Sequence, residues 1–283
     1  MEYLTVSKLR DLLDAHAIWP DKSLGQHFLV DGNIVRLILK WADEAPCAVE
    51  VGAGPGPMTL PLASCYQNVL AVEIDQRMAP VLKALLAPYP NVRLLFQDAR
   101  MINWQAALKD YPTPLVWFGN LPYNAAAPIL QQILQSGVEW VSGIFMLQYE
   151  VARRLVSKPG SKNYGILTLI VGYFADSQIL HRVKPTSFYP QPEVDSALIR
   201  LEPRRDRCEV SFDSFVKVVK AAFHVRRKTI RNSMKNATDL GLSSEEVEAL
   251  LSRAGVDPQV RAETLDREAF SRLGEALEAF SER

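Results

Sequence analysis

Short apolar runs alternate with amphipathic stretches between residues 48 and 155. The runs are four to six residues long, which is typical of buried strands, and the stretches between them have apolar residues three and four apart, as helices do. This alternation predicts stacked βα units around a mainly parallel sheet. The predicted strands are 48–51, 69–74, 92–96, 114–119 and 143–148, and the predicted helices are 57–66, 76–86, 128–135 and 150–155.

The pattern differs on either side of this region. Two amphipathic helices are predicted before it, over 5–16 and 31–43. Beyond it, 176–183 and 196–203 are typical of strands, and the absence of a helical pattern between them favours an antiparallel hairpin at the sheet edge.

From about residue 208 onward the apolar spacing is helical throughout. We therefore predict three parts: an N-terminal extension over 1–21, an α/β domain over 22–207, and a small all-α domain over 208–283. The chain has 283 residues, a length that suits about two domains.

Composition narrows the class of protein. The three cysteines are odd in number and widely spaced, so they favour a reducing, cytoplasmic setting over a disulfide framework, and they match no metal site. No apolar run reaches the ~18 residues that a membrane span needs, so we expect no membrane partner. Formal net charge is zero, but residues 200–235 carry eleven Lys/Arg against four Asp/Glu. That basic stretch predicts a polyanionic partner.

A glycine loop follows the first predicted strand, with Gly52, Gly54 and Gly56 at alternate positions. Glycines here let the chain turn sharply and let a ligand lie against bare backbone, which predicts a nucleotide-type site. The alternative is a tight turn without a ligand. The spacing differs from that of dinucleotide oxidoreductases, which argues against that class.

Two carboxylates follow the next two strands. Glu73 ends the second strand, where a carboxylate can accept the ribose hydroxyls of a nucleoside. Asp98 follows the third strand and is a candidate acceptor for the amine of a cofactor adenine. Asp is also common in turns after strands, so a turn role for Asp98 stays open.

The segment Asn120-Leu121-Pro122-Tyr123 follows the fourth strand and narrows the chemistry. An exocyclic amine such as adenine N6 must localise its lone pair before it can attack a sulfonium methyl group. The Asn120 side-chain oxygen and the Leu121 carbonyl can accept its two hydrogens and favour that geometry. Pro122 stiffens the turn, and Tyr123 offers a ring for base stacking. The alternative is a proline turn with a packed tyrosine.

Two further features concern the substrate. Phe188, in the loop 187–190, is a candidate for the other face of the target base, with a core position as the alternative. The basic segment 226–235 is a candidate phosphate-binding surface, with a solvated face as the alternative. Its predicted RNA-binding residues are Arg226, Arg227, Lys228 and Arg231, joined by Arg204, Arg205 and Arg207.

Together these segments resemble the ribosomal RNA adenine dimethyltransferases over roughly residues 20–270, and the KsgA-type branch in particular. The joint occurrence of so many motifs in one order is highly specific. The matching segments are KSLGQHFL (22–29), EVGAGPG (50–56), VEID (72–75), QDA (97–99), GNLPYN (119–124), FMLQYEVARRL (145–155), SKNYG (161–165), SFYPQPEVDSA (187–197), RRKTIRN (226–232) and RAETL (261–265).

The resemblance implies a Rossmann-like class I methyltransferase domain with helices on both sheet faces, S-adenosylmethionine (SAM) as cofactor, and a C-terminal RNA-binding domain. It implies N6,N6-dimethylation of two adjacent adenosines near the 3′ end of small-subunit rRNA. It further implies the immature small ribosomal subunit as partner, and we expect a monomer. The implied cofactor residues are His27, Leu29, Gly52, Gly54, Gly56, Glu73, Asp98 and Asn120, and the implied base sandwich is Tyr123 and Phe188.

One departure is visible, because many family members have Asn at the position of His27. Two alternatives remain: an Erm-type large-subunit rRNA methyltransferase, which would share the chemistry, and a non-catalytic nucleic-acid-binding factor on the same fold. The glycine loop, Glu73 and Asn120 argue against the second alternative.

Overall fold

The computed structural model describes residues 3–123, 125–206 and 209–281, and the chain divides into two compact units. The α/β unit comprises Met1–Ala152 and Ser177–Pro203, and the helical unit comprises Arg153–Asp176 and Arg204–Arg283. The predicted boundary was 207/208, whereas the second part of the helical unit begins at Arg204. Residues 153–176 belong to the helical unit, because helix Ile166–Phe174, which the sequence analysis did not predict, packs in its core.

A seven-stranded sheet forms the centre of the α/β unit, as predicted. Its strands follow the order β4-β3-β2-β5-β6-β9-β7, with every pair from β4 to β6 parallel and β9 antiparallel to β6. The edge strand β7 pairs with β9, so the predicted pairing of the last two strands is confirmed. The strands are β2 Cys47–Val51, β3 Asn68–Glu73, β4 Val92–Phe96, β5 Leu115–Asn120, β6 Trp140–Gln148, β7 Ala175–Val183 and β9 Ser196–Pro203.

The helices between these strands lie close to their predicted positions. Short loops join each strand to its helix, so the unit has the βα connectivity expected of a parallel sheet. The helices of the α/β unit are α1 Val6–Ala15, α2 Gly32–Trp41, α3 Thr59–Cys65, α4 Ala79–Leu86, α5 Trp104–Ala107, α6 Ala126–Leu134 and α7 Tyr149–Leu155, which continues into the helical unit. The short helix α5 was not predicted.

The N-terminal residues are part of the α/β unit rather than a separate extension. Thr5 caps α1 by accepting the Lys8 backbone N–H. Leu9 and Leu13 are fully buried in an apolar cluster with Met78 and Leu82. Burying two leucines stabilises the unit by roughly 1.5–3 kcal/mol each.

A second, two-stranded sheet joins two distant segments of the α/β unit. Strand β1 (Phe28–Leu29) pairs antiparallel with β8 (Phe188–Tyr189), with Leu29 opposite Phe188. The Val30 N–H donates to the Ser187 carbonyl and extends this ladder. Neither strand is long enough to give a periodic signal in the sequence.

The helical unit has its own core. Helices α9 and α12 pack along each other and bury Phe215, Val219, Phe270 and Leu273. Its helices are α8 Ile166–Phe174, α9 Phe212–Ala222, α10 Ile230–Lys235, α11 Ser244–Arg253 and α12 Arg267–Ser281. No helix among the described residues is long and apolar enough to cross a bilayer.

Candidate active site

A single cavity in the α/β unit gathers most of the predicted site residues. It opens at the carboxyl ends of β2, β3, β4 and β5, where the strand order reverses and where open α/β sheets bind ligands. The predicted residues that line it are His27, Gly52, Gly54, Glu73, Asp98, Asn120, Leu121, Pro122 and Tyr123.

The glycine loop provides bare backbone at the cavity floor. Gly54 has a positive φ of 54°, and a Cβ added there would meet the Phe28 ring at 2.9 Å. A side chain at this position would therefore be strained and would also collide with the core. Only glycine lets this loop pass between β1 and the cavity.

Glu73 is buried, and backbone donors hold its carboxylate in place. Its Oε2 accepts from the Gly54 N–H at 2.6 Å, and its Oε1 accepts from the Asp75 N–H at 2.8 Å. Burial raises the pKa of Glu73, and the two backbone hydrogen bonds oppose that rise. Each oxygen keeps a second lone pair, so the carboxylate can still accept ribose hydroxyls.

Asp98 has the turn role that the sequence analysis gave as its alternative, and it also faces the cavity. It caps the turn after β4 by accepting from the Arg100 backbone N–H at 2.9 Å, and it lines the cavity. The Arg100 side chain binds it in a bidentate pair, with Nη2 2.6 Å from Oδ2. The hydrogen bond from Arg100 lowers the pKa of Asp98, so the carboxylate is ionised and able to accept from an amine.

Asn120 ends β5 with a defined side-chain orientation. Its Nδ2 donates to the His27 carbonyl oxygen at 2.7 Å. Because a carbonyl oxygen can only accept, this bond assigns the amide nitrogen to His27 and leaves Oδ1 as the acceptor for a ligand. The predicted acceptor role therefore has the orientation that it needs.

The Tyr123 ring is held at its hydroxyl and against its face. Its hydroxyl lies 2.7 Å from the Ser196 hydroxyl, and its face stacks on the His27 ring at 5.8 Å with an interplanar angle of 26°. Ser196 is fully buried at the start of β9. The sequence analysis included Ser196 in a matching segment but assigned it no role.

Three predicted residues do not line this cavity. Phe188 is 3% exposed and packs in the apolar core, because its pairing with Leu29 in the two-stranded sheet turns both side chains inward. Gly56 has a positive φ and faces α4, where a Cβ would meet Leu85 at 2.8 Å. Phe188 therefore has the core position that the sequence analysis gave as its alternative. Gly56 and the buried Leu29 pack behind the cavity.

The segment 23–28 forms one wall of the cavity, and the sequence analysis had identified only His27 in it. Gln26 bridges that wall to β3, since its Oε1 accepts from the Asp21 N–H and its Nε2 donates to Asp75 Oδ2 at 2.9 Å. Arg77 pairs with Asp75 at 2.7 Å and with Asp21 at 3.6 Å. These bonds outweigh the effect of burial and lower the pKa of Asp75.

Glu50 lies behind the cavity and is only 2% exposed. Thr59 donates its hydroxyl to Glu50 Oε2 at 2.5 Å, and both side chains are buried. Burial raises the pKa of Glu50 to about 8, and the Thr59 hydrogen bond only partly offsets this effect. Glu50 is therefore mainly protonated at neutral pH, unlike the ionised Asp98.

Comparison with known proteins identifies the family. The model for ribosomal RNA adenine dimethylases matches residues 20–278. The chain belongs to the ribosomal RNA adenine dimethylase family. Proteins named ribosomal RNA small subunit methyltransferase A are similar over 96% of both chains, with 40% identity in Geobacillus kaustophilus (strain HTA426) and 34% in Clostridium perfringens (strain 13 / Type A).

Solved structures agree with this dimethylase fold. A dimethyladenosine transferase from Plasmodium falciparum superposes with a TM-score of 0.73 at 23% identity, covering 87% of this chain and 96% of its own. The 23S rRNA methyltransferase ErmE superposes with a TM-score of 0.63 at 25% identity, covering 89% and 99%. The first of these similarities supports the fold alone.

In this dimethylase, the basic segment of the helical unit has two kinds of cation. Arg226 pairs with Glu263 at 3.2 Å and donates to the Lys162 and Tyr164 carbonyls, and Arg231 pairs with Glu248 at 2.6 Å. Arg227 and Lys228 are exposed and make no ion pair among the described residues. Arg204 pairs with Asp176, Arg205 is exposed, and the predicted Arg207 lies outside the described residues.

Proposed function

We propose that the chain is the SAM-dependent enzyme that dimethylates N6 of two adjacent adenosines near the 3′ end of small-subunit rRNA. The observation that carries this proposal is the orientation of Asn120, whose Nδ2 is bound to the His27 carbonyl so that Oδ1 can accept from an amine in the cavity. Family membership and the relatives' names support the substrate.

The residues of the cavity fit SAM. The buried Glu73 carboxylate has two spare lone pairs for ribose hydroxyls, and the ionised Asp98 can accept from an adenine amine. The bare backbone at Gly54 lets the ligand lie close to the glycine loop. Glu73, Gly54 and Asp98 would hold those groups. When bound, SAM supplies a methyl group on a cationic sulfur, which is the electrophile of the reaction.

The chain itself positions the nucleophile. Asn120 Oδ1 and the Leu121 carbonyl accept the two N6 hydrogens of the target adenine, which localises the nitrogen lone pair on the remaining side. Tyr123 stacks on the base, and the Ser196 hydroxyl anchors the far end of its ring. Orientation and hydrogen bonds that strengthen in the transition state lower the barrier. No strong base is needed, since the nitrogen loses its proton readily once it has become cationic.

The helical unit supplies the RNA contacts in this proposal. Within the described segment 226–235, Arg227 and Lys228 are the cations that can bind phosphates without breaking an internal ion pair. The immature small subunit is the proposed substrate particle, the enzyme acts as a monomer, and it works in the cytoplasm. An Erm-type function would use the same cavity on a large-subunit adenosine.

The test is mass spectrometry of small-subunit rRNA from cells that lack this protein. We expect the two dimethyladenosines to be missing, to return with the wild-type gene, and to stay missing with Asn120→Ala. Primer extension across both rRNAs separates the alternatives, because an Erm-type enzyme leaves the small subunit unchanged and alters the large one. Calorimetry with SAM tests the non-catalytic alternative, which predicts no binding.

A further inference from the structure

The ring and backbone of His27 contact three residues of two other segments of the α/β unit. The backbone carbonyl accepts from Asn120 Nδ2 at 2.7 Å, ring Nδ1 lies 2.8 Å from the Pro190 carbonyl oxygen, and the ring face stacks on Tyr123. These contacts link the wall at 23–28, the end of β5 and the loop after β8. Family resemblance had suggested only a cofactor role for this position.

The bond to Pro190 determines which ring nitrogen carries a proton. A carbonyl oxygen can only accept, so Nδ1 must be the protonated nitrogen whether His27 is neutral or charged. In the neutral ring only the lone pair of Nε2 is then left for any other partner. The hydrogen-bonding capacity of His27 is thus used largely within the protein.

The stack on Tyr123 supplies a constraint that no other described contact supplies. The Ser196 hydroxyl holds the far end of Tyr123, but a single hydrogen bond at one end still lets the ring rotate. The half-buried His27 ring against its face restricts that rotation. An asparagine, which many family members have here, could replace the donor to Pro190 but not the aromatic face.

We infer that the His27 imidazole is a positioning residue for the target adenine, which holds the Tyr123 ring in plane and ties it to the 187–190 loop. The inference rests on the proposed function and extends it. It assigns the ring of His27 to the base side of the cavity, whereas resemblance assigned this position to the cofactor.

Enzyme kinetics on small subunits that lack the dimethylation test this role. For His27→Ala we expect kcat/KM to fall at least about tenfold while the SAM dissociation constant, measured by calorimetry, changes less than about threefold. His27→Phe keeps the stack and His27→Asn keeps a donor, so each should recover part of the loss. An equal loss of SAM affinity and kcat/KM in His27→Ala would overturn the inference.

A double-mutant comparison and a matched control sharpen the test. Because His27 acts through Tyr123, His27→Ala should cost little more in a Tyr123→Ala background, and full additivity would count against the inference. His16 is the control, since its Nδ1 also bonds a backbone carbonyl, that of Leu12 at 2.9 Å, but it does not line the cavity. We expect His16→Ala to retain wild-type kcat/KM.

A spectroscopic readout separates this inference from the proposed function. Nitrogen NMR of the full-length protein should report the Nδ1–H tautomer for His27, assigned by its loss in His27→Asn, and Tyr123 ring signals should shift in His27→Ala. An Nε2–H tautomer, or unchanged Tyr123 signals, would overturn the inference without any RNA present. A wild-type enzyme that methylates no small subunit would instead count against the proposed function.

Discussion

Asn120 donates its side-chain amide to the His27 carbonyl across 93 residues of sequence, at 2.7 Å. This bond leaves the side-chain oxygen of Asn120, and not its nitrogen, available to a ligand in the cavity. The orientation of the Asn120 side chain therefore depends on a backbone atom of a segment near the N-terminus.

The first prediction concerns that orientation. Asn120→Ala should lower kcat by about 10²–10³, the usual cost of losing one preorganised transition-state hydrogen bond. Asn120→Asp should be no better, because a carboxylate has no N–H for the His27 carbonyl. Methyl transfer from labelled SAM measures the rate, and calorimetry should find SAM affinity much less affected.

Asn68 provides a matched control for Asn120. It also donates its side-chain amide to a backbone carbonyl, that of Pro46 at 3.2 Å, but it stands at the opposite end of the sheet. Asn68→Ala should keep the wild-type kcat. Similar losses in Asn68→Ala and Asn120→Ala would mean that general destabilisation, and not amine positioning, explains the effect.

The second prediction concerns the hydroxyl pair of Tyr123 and Ser196. Tyr123→Phe and Ser196→Ala should each lower kcat/KM about fivefold, in line with a neutral hydrogen bond of about 1 kcal/mol. The double variant should lose little more than either single variant, since both remove one interaction. Tyr123→Ala should lose more, because it also removes the stacking ring. Additive losses would show that the two hydroxyls act separately.

The third prediction divides the basic segment by function. Arg227→Ala with Lys228→Ala should weaken binding to a small-subunit rRNA fragment and reduce the salt slope by about 0.7 to 0.9 per lost phosphate contact. The melting temperature should stay unchanged, since neither cation makes an ion pair among the described residues. An unchanged slope would mean that both side chains only face solvent.

Arg226→Ala is the contrasting variant. Its side chain holds Glu263 and two carbonyls within the helical unit, so we expect the melting temperature to fall by about 4 °C, which corresponds to a loss of about 1 kcal/mol. Differential scanning calorimetry measures this shift. A wild-type melting temperature would return Arg226 to the set of candidate phosphate ligands.

The fourth prediction follows from the buried Glu50. Burial raises its folded-state pKa from 4.5 to about 8, so the folded state retains a proton that the unfolded state has lost. The free energy of unfolding should therefore fall as pH rises between about 5 and 8, with a contribution from this group of up to about 1.4 kcal/mol per pH unit.

Urea unfolding of wild type and Glu50→Gln at pH 5.5 and 7.5 isolates that contribution. The neutral amide cannot titrate, so the variant should lose less stability over this interval than the wild type does. The other titrating groups are common to both proteins and cancel in the difference. Parallel pH profiles would mean that Glu50 is ionised throughout.

Local signals in the sequence were sufficient for the parallel sheet and most of its helices. The spacing of apolar residues reflects burial, and the positions of glycines reflect backbone freedom. Both act over a few residues. They predicted every strand of the seven-stranded sheet. They did not predict β1 and β8, because two-residue strands have no period and form only when residues 160 apart in sequence meet.

Some of the site residues could likewise be predicted from the sequence, and others could not. Glu73, Asp98 and the 120–123 segment could be predicted, because the carboxyl ends of parallel strands share one edge. The outcome for Phe188 could not, because the same aromatic serves equally well in a core or on a base, and only its pairing with Leu29 puts it inward. Likewise the charge count of the basic segment did not reveal which cations had internal partners.

The sequence by itself thus determined the fold class, the family and the chemical groups that reach the cavity, since each depends on residue type and local spacing. Only the tertiary structure decided how those groups are oriented. The free oxygen of Asn120, the plane of Tyr123 and the protonated nitrogen of His27 each follow from a contact between segments distant in the chain. The pattern of apolar and polar residues does not indicate such contacts, because they depend on how whole helices and strands pack.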